Sequence, residues 1–530
     1  MSKKAKQAPK TSRKTQGMKV DHRPRRSNQA TDQVTDQVSK QHNIRWRFAC
    51  LLPALIVLLS YFFSPAKDIH EDEIYWIGSS YYYQLAVIDG DASNTDWQLL
   101  PARENPVLGK YVLGAALQFA GHPVTTPDLL GSFYLIFADM PGAWGSDEAF
   151  EKRLAVAGRV EPSLRDEVRS GRGIPLDDSQ LSVARHTSLL FGMLAAIGLA
   201  ILGQQCHWRV GGVLAGILFG LHPIVSNAYS LAMIDIIAMA FSIWFMVGLL
   251  SILRLPEKTG LVCNEQSRSS RQSKPQSSDE TAWATSVQKA NAFLSRSFMQ
   301  QVAVTLFAAV MLAFACGCKM NSLIVAATAA ACGIWCLFQT LRYRTGRSAL
   351  SQDSETQQHA PRGFMKLTPE MLNTRVWMLI TVGLLAVILF IGTNPTLYGD
   401  PIDGVLALSY EHALTADLQE DMLGGRLTTI SERAQALATL VCRGPLGFIG
   451  MCMTVAWIAY YCVREQSIGI ILVLWWAIAL LLLMMWIPFE WERYALPLLP
   501  PTMLILGATV EIIGNAAWSK LTRSRSTVVS

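Results

Sequence analysis

Long uncharged runs alternate with polar stretches along this chain. A helix needs about 20 consecutive apolar residues to cross a hydrocarbon core. Runs of that order lie near 48–63, 183–203, 210–226, 232–253, 299–317, 321–341, 376–393, 444–463, 468–487 and 494–514. They predict an all-α polytopic membrane protein of about ten transmembrane helices, with both termini on one side. The run 107–121 is about 15 residues long, too short to span, and contains Lys110. Counting it as a span would invert everything downstream. It is therefore expected to lie flat on the outer surface as an amphipathic helix. Tyr75, Trp76, Tyr81, Tyr82 and Tyr83 predict a second interfacial helix just before it, because aromatic rings favour the headgroup layer.

The polar stretches set the organisation. Residues 1–46 and 255–298 are rich in Ser, Gln, Lys and Arg and poor in aromatics, and part of 342–374 resembles them. All three read as disordered cytoplasmic segments. A membrane domain over 47–515 is thus flanked by basic tails at 1–46 and 516–530. No small-residue cleavage site follows the first apolar run, which reads as a signal anchor.

Composition agrees with this reading. Of 530 residues, 51% are hydrophobic and 16% charged, against about 25% charged in a soluble domain. An ordinary soluble enzyme and a disordered scaffold are excluded. The net charge of +6 hides a segregation: residues 1–47 carry thirteen Lys/Arg against three Asp/Glu, and residues 64–180 carry nine against eighteen. Positive-inside sorting accounts for this without nucleic-acid binding. It places 204–209, 254–298, 342–375, 464–467 and both tails in the cytoplasm. The acidic loops 64–180 and 394–443 fall outside, and function is expected there. The basic tails can also touch anionic membrane lipid. Ten cysteines give no disulfide or zinc spacing; Cys50, Cys316, Cys318, Cys332, Cys336, Cys452 and Cys462 lie in or beside apolar runs as small hydrophobes.

Candidate chemistry sits at the outer membrane boundary. The first span is followed by His70-Glu71-Asp72-Glu73-Ile74-Tyr75-Trp76. A carboxylate near low-dielectric lipid tends towards a raised pKa, which suits a general base, while the bland alternative is a solvated acidic loop. Lys110, Arg185, Lys319 and Arg493 all sit where positive-inside sorting disfavours cations. Such residues commonly serve a charged partner, and phosphate is a natural one. Alternatively Arg493 pairs with Glu490 or Glu492 and Lys319 snorkels. Asp235 opens an apolar helix, as a functional carboxylate, as an ion pair to an outer cation, or as an N-terminal helix charge. His222-Pro223 marks a turn between spans. In the loop 394–443, Tyr398, Asp400, Glu411 and His412 are possible substrate contacts by composition alone. No Gly-rich phosphate loop, HExxH or nucleophile elbow occurs, so an activated donor would have to arrive within the membrane.

The order of these motifs resembles the protein O-mannosyltransferase family and its bacterial relatives in the glycosyltransferase C superfamily. Asp72-Glu73 matches the family's acidic pair after the first span. Asn105-Pro106-Val107-Leu108-Gly109-Lys110 matches its His-Pro-Pro-Leu-x-Lys segment, with Asn105 in place of His and Val107 in place of the second Pro. Arg185, Met233-Ile234-Asp235, Gly317-Cys318-Lys319 and Arg493-Tyr494-Ala495-Leu496-Pro497 follow in order, over about residues 48 to 510. The resemblance implies transfer of a sugar, mannose or another hexose, from a polyprenyl-phosphate carrier to an acceptor hydroxyl of a protein, lipid or glycan. It implies the outer face of a bacterial cytoplasmic membrane. Asp72 would be the base, with Glu73 assisting. Arg493 and Lys319 would stabilise the leaving phosphate, with Lys110 and Arg185 as weaker candidates. No Asp-x-Asp pair sits in the matched motifs; a divalent metal is neither required nor excluded. The runner-up is a multi-pass transporter or lipid flippase, whose sign would be paired broken helices in two repeated halves. A non-catalytic membrane scaffold would explain the charge segregation but not the outer cations.

Overall fold

The computed structural model describes residues 46, 48–65, 67–136, 147–170, 172–254, 279–349, 369–423 and 425–529. By its contacts the chain divides into Met1–Phe48 and Ala49–Ser530, and the helices named below belong to the second unit. Every regular element among the described residues is helical.

The chain opens with α1 (Leu52–Phe63), followed by α2 (Glu71–Ser79), α3 (Leu108–Phe119), α4 (Asp128–Ile136) and α5 (Asp147–Ala157). The helices α6 (Asp178–Gln205), α7 (Arg209–Leu221), α8 (Pro223–Ser230), α9 (Ile234–Arg254) and α10 (Asp279–Cys318) come next. Then follow α11 (Leu323–Ala349), α12 (Pro369–Thr393), α13 (Pro401–Leu423), α14 (Ile430–Cys442), α15 (Pro445–Arg464), α16 (Ile470–Trp486) and α17 (Leu499–Val529).

Among the described residues, seven helical segments are long and apolar enough to cross a membrane: Asp178–Gln205, Ile234–Arg254, Phe298–Cys318, Met320–Leu341, Leu372–Thr393, Pro445–Arg464 and Glu492–Ser524. The protein is a helical membrane protein. The pair α7 and α8 is bent by 66°. His222 there is extended and Pro223, lacking an N–H, starts a new helix rather than continuing the old one. The apolar helices α1 and α16 are shorter, with 12 and 17 residues.

In the bundle, α6 packs against α7, α9 and α1, α9 against α10, and α10 against α12. The contacts of α7 with α17 and with α6 depend on bare backbone. A Cβ on Gly507 would stand 2.1 Å from the Gly211 carbonyl oxygen, and one on Gly203 would stand 2.2 Å from Gly212 Cα. Lipid supplies no hydrophobic drive for helices to associate, so close backbone contact through small residues takes its place. The Gly211 N–H at the start of α7 donates to Glu511 Oε2 of α17 at 2.8 Å, satisfying one of the helix's orphan donors.

Several expectations are corrected. The aromatic residues of α2 and the turn after it do not face a headgroup layer: Tyr75, Trp76, Tyr81 and Tyr82 are buried. Tyr75 meets Phe133 edge-on at 5.2 Å, and Tyr82 tilts on Trp97 at 5.1 Å. A row of rings buries more area against other rings than at an interface. The helix α3 buries Leu108, Lys110, Leu113 and Leu117 within the protein rather than resting on a surface. Helix occupies 279–297, 342–349 and 369–374, within segments expected to be disordered, and it also runs through 516–529 of the basic tail. Ala, Gln, Lys and Ser in these stretches tolerate helix well enough to prolong the spans they adjoin. The remainder of the segments expected to be disordered (1–45, 255–278 and 350–368) lies outside the described residues.

Candidate functional site

One end of the bundle holds a cavity of about 930 Å³, lined in part by Asp72, Asp235, Lys319 and Arg493. Local sequence explains why each charge sits there. His70 caps α2 in a capping box: its ring accepts the Asp72 N–H at 3.2 Å, and Glu73 accepts the His70 N–H at 2.9 Å. Asp72 is thus held in the first turn, where the helix dipole favours a carboxylate. Asp235 occupies the same position in α9. Lys319 stands between α10 and α11 in extended conformation, where Met320–Ser322 restarts the helix as a single tight turn. Arg493 belongs to the short helix Glu492–Ala495 between α16 and α17.

The four charges form two pairs. Arg493 Nη1 donates to Asp72 Oδ2 at 2.8 Å, and Lys319 Nζ pairs with Asp235 Oδ1. Neither Glu490 nor Glu492 takes Arg493, and Lys319 does not snorkel. Among the described residues, Asp72 is the one hydrogen-bond partner of Arg493, whose guanidinium also lies over the Trp491 ring at 4.4 Å. A guanidinium carries five donors, so most of its capacity is left for an anion.

Glu73, Arg185 and Lys110 do not line the cavity. Glu73 is fully buried and takes both fork nitrogens of Arg185, at 2.8 and 2.7 Å, along with the Ala232 N–H at 2.8 Å. Arg185 also donates to the carbonyls of Lys67 and Asp68, at 3.0 and 2.9 Å. The two residues tie α2, α6 and the turn before α9 together. The Lys110 ammonium, fully buried, donates to the carbonyls of Pro101 and Asn105. An ammonium held by two backbone carbonyls inside the protein is a structural group, not a phosphate ligand.

Of the residues suggested in 394–443, His412 reaches the cavity. It stacks on Trp486 at 5.5 Å. Burial, helped by the charges of Lys319 and Arg493, pushes its ring down to about 4, so it is neutral near pH 7. Glu411 on the same helix instead pairs with Lys152 of α5 at 2.6 Å. Tyr398 and Asp400 stand exposed and away from the cavity.

The structure adds residues that sequence reasoning missed: Glu104, Arg153, Tyr134 and Thr415 also line the cavity. The signal for Glu104 was its place directly before Asn105-Pro106; the others carry no motif. Glu104 accepts the Tyr75 hydroxyl at 3.0 Å. Part of its surface faces the cavity, but protein surrounds it, and this burial raises its carboxyl while Tyr75 and Lys110 pull it back down. No group of three or more His, Cys, Asp or Glu among the described residues is arranged to hold a metal ion.

The class these features define is an integral helical membrane protein with a charged cavity at one end of its bundle. No protein-family model, curated protein or solved structure matches this chain.

Proposed function

We propose that the protein is a membrane glycosyltransferase that moves a hexose from a polyprenyl-phosphate carrier to an acceptor hydroxyl of a protein, lipid or glycan. The observation that carries this reading is the meeting of Asp72 with Arg493 at 2.8 Å, in one cavity with Lys319 and Asp235. One carboxylate and two cations are what displacement at a sugar phosphate needs. Asp72 takes the proton of the acceptor O–H as its oxygen bonds the anomeric carbon. The bond from that carbon to the phosphate oxygen breaks, and its electron pair leaves on the phosphate. Arg493 and Lys319 stand ready for that growing charge, and fixed cations in a water-poor site lower such a barrier. A single displacement inverts the anomeric centre.

In this reading all ten apolar helices span, with α7 and α8 as one bent span, and both termini are cytoplasmic. The cavity then opens on the outer side of a bacterial cytoplasmic membrane.

The test compares transfer of radiolabelled sugar from polyprenyl-phosphate donors to membrane acceptors by wild type and Asp72→Asn at equal expression. Transfer that collapses in the variant supports the base. Equal transfer by both removes Asp72 from the chemistry and keeps the class. Absence of transfer by folded protein with every donor overturns the reading in favour of transport.

A further inference from the structure

The cavity has two ends of unlike character, bridged by two helices. On α2, Asp72 faces Arg493 while Tyr75, one turn on, donates its hydroxyl to Glu104 at 3.0 Å. On α13, His412 lies near Lys319 and Arg493 while Thr415, again one turn on, lines the cavity near the Glu104 carboxyl. One turn of helix advances about 5 Å, so the two ends are adjacent.

The first end is made of formal charges. The second is made of hydroxyls, rings and a carboxyl answered by one guanidinium, that of Arg153. Tyr75 and Tyr134 are each about nine-tenths buried there, with Phe133 at 5.2 Å from both rings. Burial raises the Tyr75 and Tyr134 hydroxyls well above their ordinary range, so they stay neutral donors. It also raises Glu104 and so weakens the charge of this end. Arg153 of α5 stands within electrostatic reach of Glu104 and Tyr134.

Such an end, where Glu104 answers its one cation, is less suited to a phosphate than the first. It is well suited to an uncharged ring carrying hydroxyls on its rim and C–H groups on its faces. Carboxyl oxygens accept from vicinal hydroxyls, Tyr and Thr hydroxyls both donate and accept, and aromatic faces attract C–H edges. We infer that Glu104, with Tyr75, Tyr134, Thr415 and Arg153, forms a saccharide subsite beside the charged end and sets which sugar the protein accepts. The inference rests on the glycosyltransferase reading for the source of the sugar, though not for its binding.

The test uses the purified full-length protein in detergent and, as probes, the methyl α-glycosides of mannose, glucose and galactose, with binding followed by calorimetry. Wild type binds at least one glycoside saturably. Glu104→Ala weakens that binding at least about tenfold, the equivalent of one good hydrogen bond in such a setting. Asp400→Asn, exposed and away from the cavity, leaves it within about twofold. Because Glu104 is enclosed, Glu104→Gln and Thr415→Val are measured beside it, with melting temperature as the check on folding. In the transfer assay, Glu104→Gln shifts the ratio of kcat/KM between epimeric sugars, because a site built to bond a hydroxyl rejects a ring that presents it wrongly. A shift among donor sugars assigns the subsite to the donor ring, and a shift among glycan acceptors assigns it to the acceptor.

Folded wild type that binds no glycoside, or folded Glu104 and Thr415 variants that bind as wild type does, overturns the subsite. The two readings fail separately. Glu104-dependent binding without any transfer defeats the transferase and keeps the subsite. Transfer whose sugar preference and glycoside binding ignore Glu104 and Thr415 defeats the subsite and keeps the transferase.

Discussion

Arg493 Nη1 lies 2.8 Å from Asp72 Oδ2, although the two residues are 421 positions apart. The contact joins the first turn after α1 to the short helix that opens the last span. It gives the guanidinium two duties in the proposed reaction, orienting the carboxylate and meeting the phosphate.

Those duties predict a characteristic pattern of kinetics. Asp72→Asn and Arg493→Gln each lower transfer by about 10²–10⁴-fold, the range for a lost general base. The double variant is little worse than the worse single one, because residues that act as a unit are not additive. Arg493→Lys recovers part of the rate, keeping the charge but losing the fork. Multiplicative losses in single-turnover rates would show that the pair does not act together.

The buried ion pairs predict stability effects. Removing one partner strands the other without compensation and costs about 3–5 kcal/mol. Glu73→Gln, facing Arg185, and Lys319→Gln, facing Asp235, should each lower the melting temperature sharply. Lys319→Gln combined with Asp235→Asn should melt closer to wild type than Lys319→Gln alone, while transfer stays low. A double variant as unstable as the single one would mean that the cost lies in lost volume or shape rather than in stranded charge.

His412 predicts a pH effect whose sign is set by its downward shift to about 4. The unfolded ring titrates near its ordinary value of about 6.5. Between those values the unfolded chain binds more protons than the folded one, so stability rises with pH there. The contribution is whole above about 6.5 and is lost as pH falls towards 4. Melting curves across that window should slope for wild type and flatten for His412→Gln; an unchanged slope would assign the effect to other groups.

Gly507 predicts a steric effect far from the cavity. A Cβ there would stand 2.1 Å from the Gly211 carbonyl oxygen, so Gly507→Ala must push α7 and α17 apart. Overpacking of this kind costs about 1–3 kcal/mol. Melting in detergent measures it. Gly514→Ala, where a Cβ meets nothing within 4 Å, is the control and should melt at or above wild type, since Ala suits a helix interior better than Gly.

Helical class and membrane residence were legible in the sequence, because a 20-residue uncharged run has few other stable fates. The candidates Asp72, Asp235, Lys319 and Arg493 were legible too, since charge at a membrane boundary is costly and stands out against an apolar background. Their partners were not. Pairing is decided by which helix ends meet, so Arg493 takes Asp72 rather than its neighbours Glu490 and Glu492, and Lys319 takes Asp235. The same folding turns Glu73, Arg185 and Lys110 inward, where one bidentate pair and two backbone carbonyls consume their hydrogen-bonding capacity. Glu104, Thr415 and Tyr134 come from three separated stretches of modest polarity, and beyond the place of Glu104 before Asn105-Pro106 they carry no local signal. Only the packing of the short helix Leu100–Glu104 against α13, and of α2 against α4, brings them to one wall. A sequence records where charge and hydrophobicity lie along the chain; hydrogen bonds between residues hundreds of positions apart exist only once the helices have chosen their neighbours.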